Sequence, residues 1–283
     1  MKSLTDTYTL KNGVEIPCIG LGTWQVPDGE IAYRAVRDAL SLGYRHIDTA
    51  AIYGNEASVG RAVRESGIPR EEIFVTSKLW NTVRGYEETK KAFEETLGRL
   101  GLEYLDLYLI HWPNPVGFRS RWQEANAETW RAMEELYKAG RIRAIGISNF
   151  HEHHIDALLK TAEIAPMVNQ IRLCPGDTKD ALVAYCRKHG MLLEAYSPFG
   201  TGKAFQVPEL QEMAAKYGKT VAQLLVRWSL QMGFLPLPKS TKAERIRENA
   251  DVFDFEVDED DVLYIAGMKG VCGESWDPDS VSW

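Results

Sequence analysis

Short apolar runs rich in Ile, Val and Leu alternate along this chain with longer stretches in which apolar residues recur every three or four positions. The runs are CIGLGTW (18–24), RHIDTA (45–50), IFVTSKLW (73–80), LDLYLIHW (105–112), RAIGISNF (143–150), MVNQI (167–171), MLLEAYSP (191–198) and GFLPLPKS (233–240). Near-continuous apolar runs of this length mark strands buried on both faces, as in parallel sheets. Helices are predicted between them. Over 30–43, Ile31, Ala35, Val36 and Ala39 share one stripe; over 87–100, Ala92, Phe93, Leu97 and Leu100 share another. Further helices fit 126–139, 152–162, 179–189, 208–217, 220–232 and 242–250. Ahead of the first run, Asn12-Gly13 sits between two extended segments, a hairpin signal because both residues accept positive φ.

Eight buried strands, each followed by a helix, imply a parallel sheet covered on its outer face. The polar residues at the strand ends fall at 23, 48, 78, 111, 148, 170, 197 and 239, a mean interval of about 31 residues. That spacing suits an α/β fold of the (β/α)₈ TIM barrel type with an N-terminal β-hairpin. No linker rich in Pro, Gly or Ser divides the chain, so residues 1–283 are expected to form a single barrel domain. An open doubly wound sheet is the alternative. GLGTWQ (20–25) lacks the third glycine of the dinucleotide fingerprint, which favours the barrel.

Charge narrows the function classes. With 33 Lys+Arg against 40 Asp+Glu the chain is acidic overall, which argues against nucleic-acid binding. The four cysteines (Cys18, Cys174, Cys186, Cys272) have no metal-like spacing and read as thiols of a reducing compartment. The N-terminal stretch has no apolar core of the signal-peptide kind, and no apolar run approaches a membrane span. A cytoplasmic protein without a membrane partner is expected.

Candidate chemistry gathers at the strand ends. Thr23, Asp48, Lys78, His111, Ser148-Asn149, Gln170, Ser197 and Lys239-Ser240 draw a polar ring, and active sites of such barrels lie at that face. Asp48, Lys78 and His111 stand on consecutive strands, about 4.8 Å apart. Tyr53, in the loop after Asp48, can fold back over them. A lysine beside a phenol favours the phenolate and is expected to draw its pKa down from about 10. Asp48 would keep Lys78 charged, and a neutral His111 would direct a hydrogen bond at a substrate oxygen. Singly, each has a bland reading: a barrel-end ion pair, an amphipathic loop tyrosine, a packed histidine. Their conjunction points to protonation of a carbonyl oxygen.

Two further stretches carry candidate sites. Lys239, Lys242, Arg245 and Arg247 form a basic cluster at the start of the last predicted helix, a natural phosphate site, with Thr241 and Glu244 spaced as a capping box. HEHH at 151–154 departs from the zinc-binding H-E-x-x-H pattern at Ile155 and reads as a solvated helix start, so no metal is expected.

GLGTW (20–24), HIDTAAIYGNE (46–56), TSKLW (76–80), LYLIHWP (107–113), IGISNF (145–150), NQI (169–171), AYSP (195–198) and PKSTKAERIREN (238–249) together resemble the aldo-keto reductase superfamily over nearly the whole chain. The resemblance implies a barrel oxidoreductase that reduces aldehydes or ketones with NADP(H), a small-molecule carbonyl being the substrate. It implies a catalytic tetrad of Asp48, Tyr53, Lys78 and His111, with Tyr53 as proton donor. Tyr196 resembles the residue stacked on the nicotinamide, and Ser148, Asn149 and Gln170 the carboxamide-binding set. Thr23 is grouped with these cofactor residues; Ser197, Phe199 and Thr201 lie where the family contacts the pyrophosphate. Lys239, Ser240, Thr241 and Arg245 match the 2'-phosphate site, with Glu248 and Asn249 towards the adenine. Trp24, Trp80 and Trp112 would line the substrate pocket. Thr241 and Lys242 depart from the Val and Thr of many members, LCPGD (173–177) replaces His-Pro-Tyr, and the loop 200–209 is short, implying an open cofactor cleft and a monomer. Two other classes remain alongside: a cofactor-sensing barrel with little turnover, and an aldolase-like enzyme using Lys78 as a Schiff-base amine.

Overall fold

The computed structural model of the chain describes residues 1–283. β1 (Thr7–Thr9) and β2 (Glu15–Pro17) pair antiparallel, with Tyr8 opposite Ile16. Leu10 N donates to Val14 O at 2.9 Å, closing a three-residue loop in which Gly13, at φ 84°, takes the left-handed conformation. Asn12 keeps a negative φ, contrary to the sequence expectation, and its side chain accepts from Val14 N instead.

Eight parallel strands follow in sequence order: β3 (Leu21–Gly22), β4 (His46–Asp48), β5 (Phe74–Leu79), β6 (Leu105–Ile110), β7 (Ile142–Ser148), β8 (Val168–Arg172), β9 (Leu192–Tyr196) and β10 (Leu235–Leu237). The first and last edges meet where Gly20 N donates to Pro236 O at 3.1 Å and Gly22 N to Pro238 O at 3.0 Å, so the sheet closes into a barrel. Gly20 is required at this seam: a Cβ there would lie 2.6 Å from both the His46 ring and a Leu237 methyl. Alternation along the strands sends Ile47, Val75 and Leu193 outward under the helices. His46, Asp48, Thr76, Lys78, Gln170 and Glu194 form a buried polar interior.

The outer layer is α1 (Glu30–Ser41), α2 (Glu56–Arg64), α3 (Tyr86–Leu100), α4 (Trp122–Lys138), α5 (Glu152–Leu159), α6 (Asp180–Lys188), α7 (Pro208–Lys216), α8 (Val221–Gln231), α9 (Ala243–Ala250) and α10 (Glu259–Gly267). Two expectations need correction. Ile31 is exposed, because α1 buries Ala32, Ala35, Val36, Ala39 and Leu40, and Ile31 precedes that stripe by one residue. The helix expected at 126–139 starts four residues earlier, at Trp122. After α10, residues 268–283 run back across the C-terminal mouth of the barrel. Arg172 Nη1 donates to Gly273 O at 3.0 Å, Arg119 Nη2 to Val281 O at 2.6 Å and Val116 N to Trp283 O at 3.2 Å. No helix is long and apolar enough to cross a membrane.

Candidate active site

At the mouth, Asp48 ends β4 and Lys78 lies near the end of β5, with the register setting Asp48 beside Thr76. Lys78 Nζ donates to Asp48 Oδ1 at 2.7 Å, to Asp48 Oδ2 at 2.8 Å and to Thr49 O at 2.9 Å. Its remaining neighbour is the Tyr53 hydroxyl at 3.4 Å. Tyr53 is held there by a short 3₁₀ turn (Ala51–Tyr53) that ends on Gly54 in the left-handed conformation. His111, immediately after β6, stands edge-on to both Tyr53 and Trp80, with ring centroids 5.9 and 5.2 Å away.

Burial decides the electrostatics. It pulls the Lys78 ammonium's pKa down, but Asp48 and then Tyr53 more than offset it and leave Lys78 above its ordinary value. The Tyr53 phenol also stands above its ordinary value, which corrects the sequence expectation of a lowered one. Desolvation of the phenolate outweighs the attraction of Lys78, and the Asp48 carboxylate adds to the rise. The Tyr53 ring is therefore a neutral, protonated donor near neutral pH. His111 lies well below its usual range through burial, then Lys78 and Arg84, and is neutral; its Nδ1 is buried without a partner.

Asp48, Tyr53 and His111 line a cavity of about 630 Å³ together with Trp24, Trp80, Trp112, Ser148, Asn149, Gln170, Tyr196, Ser197, Phe199 and Thr201. Inside it the polar groups fix one another. Tyr196 donates its hydroxyl to Asn149 Oδ1 at 2.8 Å, Asn149 Nδ2 donates to His111 O at 3.0 Å, and Ser148 Oγ donates to Gln170 O at 2.8 Å. Gln170 Nε2 donates to Asp48 Oδ2 at 2.9 Å and to Glu194 Oε2 at 2.7 Å. A second lobe of about 670 Å³ shares Phe199, Phe205, Lys239 and Arg245 with the first and adds Ser240, Thr241, Lys242, Glu248 and Asn249. A long cleft thus joins a buried acid–base cluster to a basic patch. Thr23 stays out of it, since its buried hydroxyl donates to Asp48 O at 2.9 Å and supports that backbone.

A family model described as the Aldo/keto reductase family matches residues 18–269. The chain belongs to that family. It is 52% identical to the glyoxal reductase of Bacillus subtilis (strain 168) over 267 residues, 94% of each chain. Gox0644, crystallised as a mutant in complex with NADPH, superimposes with a TM-score of 0.90 at 37% identity, over 99% of both chains. The Bombyx mori aldo-keto reductase in complex with NADP superimposes with a TM-score of 0.83 at 36% identity, over 94% of this chain and 92% of that one. The chain is accordingly an aldo-keto reductase, an oxidoreductase, of a family whose members bind nicotinamide cofactors.

In this aldo-keto reductase one local expectation fails and another holds only in part. α9 starts at Ala243, with Lys242 as its cap residue and no side-chain cap bond, so Thr241 and Glu244 form no capping box. Ser240 takes the turn instead, its Oγ accepting from Lys242 N at 3.1 Å, which leaves the Thr241 side chain to the cleft. HEHH is the helix start expected, with His153 exposed, but it is not solvated throughout. His154 is fully buried, with Nδ1 accepting from His151 N at 3.1 Å and Nε2 lying 2.9 Å from Asp279 Oδ1, while His153 Nε2 lies 3.0 Å from Asp279 Oδ2. These three ligand-bearing groups lie close enough to hold a metal ion. Because His154 Nδ1 accepts from a backbone N–H, its ring proton belongs on Nε2, facing Asp279, and the set acts as a clasp on the tail.

The sequence reading missed what the tail brings. Trp276 and Trp283 line the cavity with Trp24 and Trp112, the Trp276 centroid lying 6.3 Å from both and Trp283 5.7 Å from Trp112. No local pattern announces this, because the tail has no regular structure to carry a period. Glu194 was also missed, although a lone acid within the apolar run LLEAY, two residues before Tyr196, signalled an inward carboxyl.

Proposed function

We propose that the chain reduces aldehydes or ketones to alcohols with NADPH, Tyr53 being the general acid. The observation that supports this best is the contact chain from Asp48 through Lys78 to the Tyr53 hydroxyl, at 2.7 and 3.4 Å, on the floor of an aromatic cavity. The residues present fit a nicotinamide dinucleotide: an open phenol face at Tyr196, polar groups at Ser148, Asn149 and Gln170, and a cationic lobe at the far end. When bound, the reduced nicotinamide supplies the hydride.

The chain's own residues do the rest. Ser148, Asn149, Gln170 and Tyr196 orient the nicotinamide end, Ser197, Phe199 and Thr201 line the middle of the cleft, and Lys239, Ser240, Thr241 and Arg245 receive the 2'-phosphate. Glu248 and Asn249 close the adenine end. Tyr53 and His111 direct hydrogen bonds at the carbonyl oxygen, and Tyr53 passes its proton to that oxygen as charge develops there. Lys78 lowers the cost of the phenolate left behind, and Asp48 keeps Lys78 charged although fully buried. Trp24, Trp80 and Trp112 exclude water and receive the substrate's apolar part. The relative named glyoxal reductase makes glyoxal a sensible first substrate. The test is a carbonyl panel followed by NADPH consumption and repeated with NADH: turnover favouring NADPH is expected, and equal rates with both cofactors would remove the phosphate role from Lys239 and Arg245.

A further inference from the structure

Glu194 is fully buried in the barrel interior, on β9 opposite Gln170 of β8 in the parallel register. Leu235 of β10 is its register partner on one side, and polar groups approach its carboxyl from the other. Gln170 Nε2 donates to Glu194 Oε2 at 2.7 Å and to Asp48 Oδ2 at 2.9 Å, and His46 Nε2 stands 3.8 Å from Glu194 Oε1. Lys78 lies beyond Asp48 and contributes at longer range. Glu194 Oε1 has no hydrogen-bond partner at all. A primary amide has two N–H bonds, and Gln170 directs both at carboxyl groups. Its oxygen is then the atom left for the cavity it lines. Reversing the amide would set that oxygen against the Asp48 carboxylate, which favours the observed orientation.

We propose that Glu194 is a positioning residue for the reducing centre: through the Gln170 amide it holds the Asp48 carboxylate against Lys78 and keeps the Gln170 oxygen turned towards the nicotinamide end of the cleft. The proposal rests on the cofactor placement given above. Glu194 makes no contact with the Lys78 ammonium or the Tyr53 hydroxyl, so it acts through two intermediaries and is not a catalytic residue. Burial, and then the nearby Asp48 charge, push the Glu194 carboxyl up to about 8, so it is held mainly as the neutral acid near pH 7. His46, pushed down to about 3 by burial and then Lys78, is neutral beside it. The interior thus holds one compensated ion pair rather than a net charge, with the Glu194 proton on Oε1 and Oε2 free to accept from Gln170.

Two variants separate acceptor from charge. Glu194→Gln retains an oxygen able to accept from Gln170 and cannot ionise; Glu194→Met has similar bulk and no acceptor. NADPH affinity by tryptophan quenching, and kcat against substrate KM at about pH 7, should stay within about threefold of the parent for Glu194→Gln. For Glu194→Met, NADPH should bind about tenfold more weakly and kcat should fall about tenfold, with substrate KM changed less, as expected when a buried amide N–H is left without its acceptor. The protein without cofactor gives an independent readout. A carboxyl whose folded pKa is raised makes stability fall as pH rises from about 4.3 towards about 8. The unfolding midpoint of Glu194→Gln should therefore gain on that of the parent across this window. Glu194→Met binding NADPH and turning over like the parent would overturn the proposal; so would Glu194→Gln losing as much as Glu194→Met, or a parent–Gln difference independent of pH. If Glu194→Met fails to fold, Glu194→Ala, which also lacks the acceptor, takes its place in the same comparison. If the parent reduces no carbonyl, the functional reading fails, while the NADPH-affinity and stability comparisons still judge Glu194.

Discussion

The Lys78 ammonium sits 2.7 and 2.8 Å from the two oxygens of Asp48, both groups buried, with the Tyr53 hydroxyl as its one neighbour towards the cavity. A buried cation is tolerable only beside its counter-ion. Replacing Asp48 by Asn should cost about 3–5 kcal/mol of folding stability, the usual penalty for leaving one partner of a buried pair alone. Urea unfolding monitored by tryptophan fluorescence measures it. A loss below about 1 kcal/mol would mean that Lys78 readily sheds its proton or finds another partner.

Lys78→Met keeps the bulk of the side chain and removes its charge. In the proposed reaction the Tyr53 phenolate then loses its nearby cation, and kcat should fall about 10²–10³-fold, as for removal of one preorganised stabilising donor. NADPH binding should change little, since Lys78 lies behind Tyr53 and lines neither lobe of the cleft. A parallel loss of NADPH affinity would relocate Lys78's role to binding.

The basic lobe makes a separate prediction. Arg245 lines both lobes and faces the position proposed for the 2'-phosphate. Arg245→Ala should weaken NADPH about 10–100-fold, the range of a charge-assisted hydrogen bond, and leave NADH almost unaffected. Titrations with each cofactor read this as a collapse of the preference ratio.

The tail clasp links stability to substrate affinity. Asp279 accepts from Asn114 Nδ2 at 2.8 Å and meets His154 Nε2 at 2.9 Å, so Asp279→Ala strands a buried imidazole N–H and should cost about 1–3 kcal/mol. It also loosens the segment that carries Trp276 and Trp283. Substrate KM should rise several-fold with kcat nearly unchanged, and steady-state kinetics beside thermal unfolding tests both limbs.

Acid should destabilise the fold through its buried histidines. Burial pushes His46 down to about 3 and His154 down to about 4, whereas both titrate near 6.5 when unfolded. Between about pH 4 and about pH 6.5 the unfolded chain binds the extra protons, so stability falls as pH falls, by up to about 1.4 kcal/mol per pH unit for each histidine. Glu194 has the opposite sign over part of this window, and the Glu194→Gln variant should show the histidine limb more cleanly. Denaturant midpoints across that range provide the check.

The sequence carried the barrel because each strand is buried on both sides, and a run such as IFVTSKLW reads the same from every window. Asp48, Lys78 and His111 were legible for the same reason, as polar residues closing apolar runs. What escaped notice depended on distance along the chain. Nothing within residues 151–154 reveals that Asp279 will cover them, and nothing around Trp276 reveals Trp24. The rise in the Tyr53 pKa escaped for a different reason: charge neighbours can be read from spacing, whereas the depth of burial that opposes them emerges only when the loop folds over the barrel mouth.

Tyr53→Phe tests the central claim most directly, because it removes one hydroxyl and preserves the ring beside His111. Carbonyl reduction should fall by at least about 10²-fold, the lower bound expected for losing a positioned acid, while the NADPH dissociation constant stays within about threefold. Turnover retained in Tyr53→Phe at the parent's rate would contradict the account.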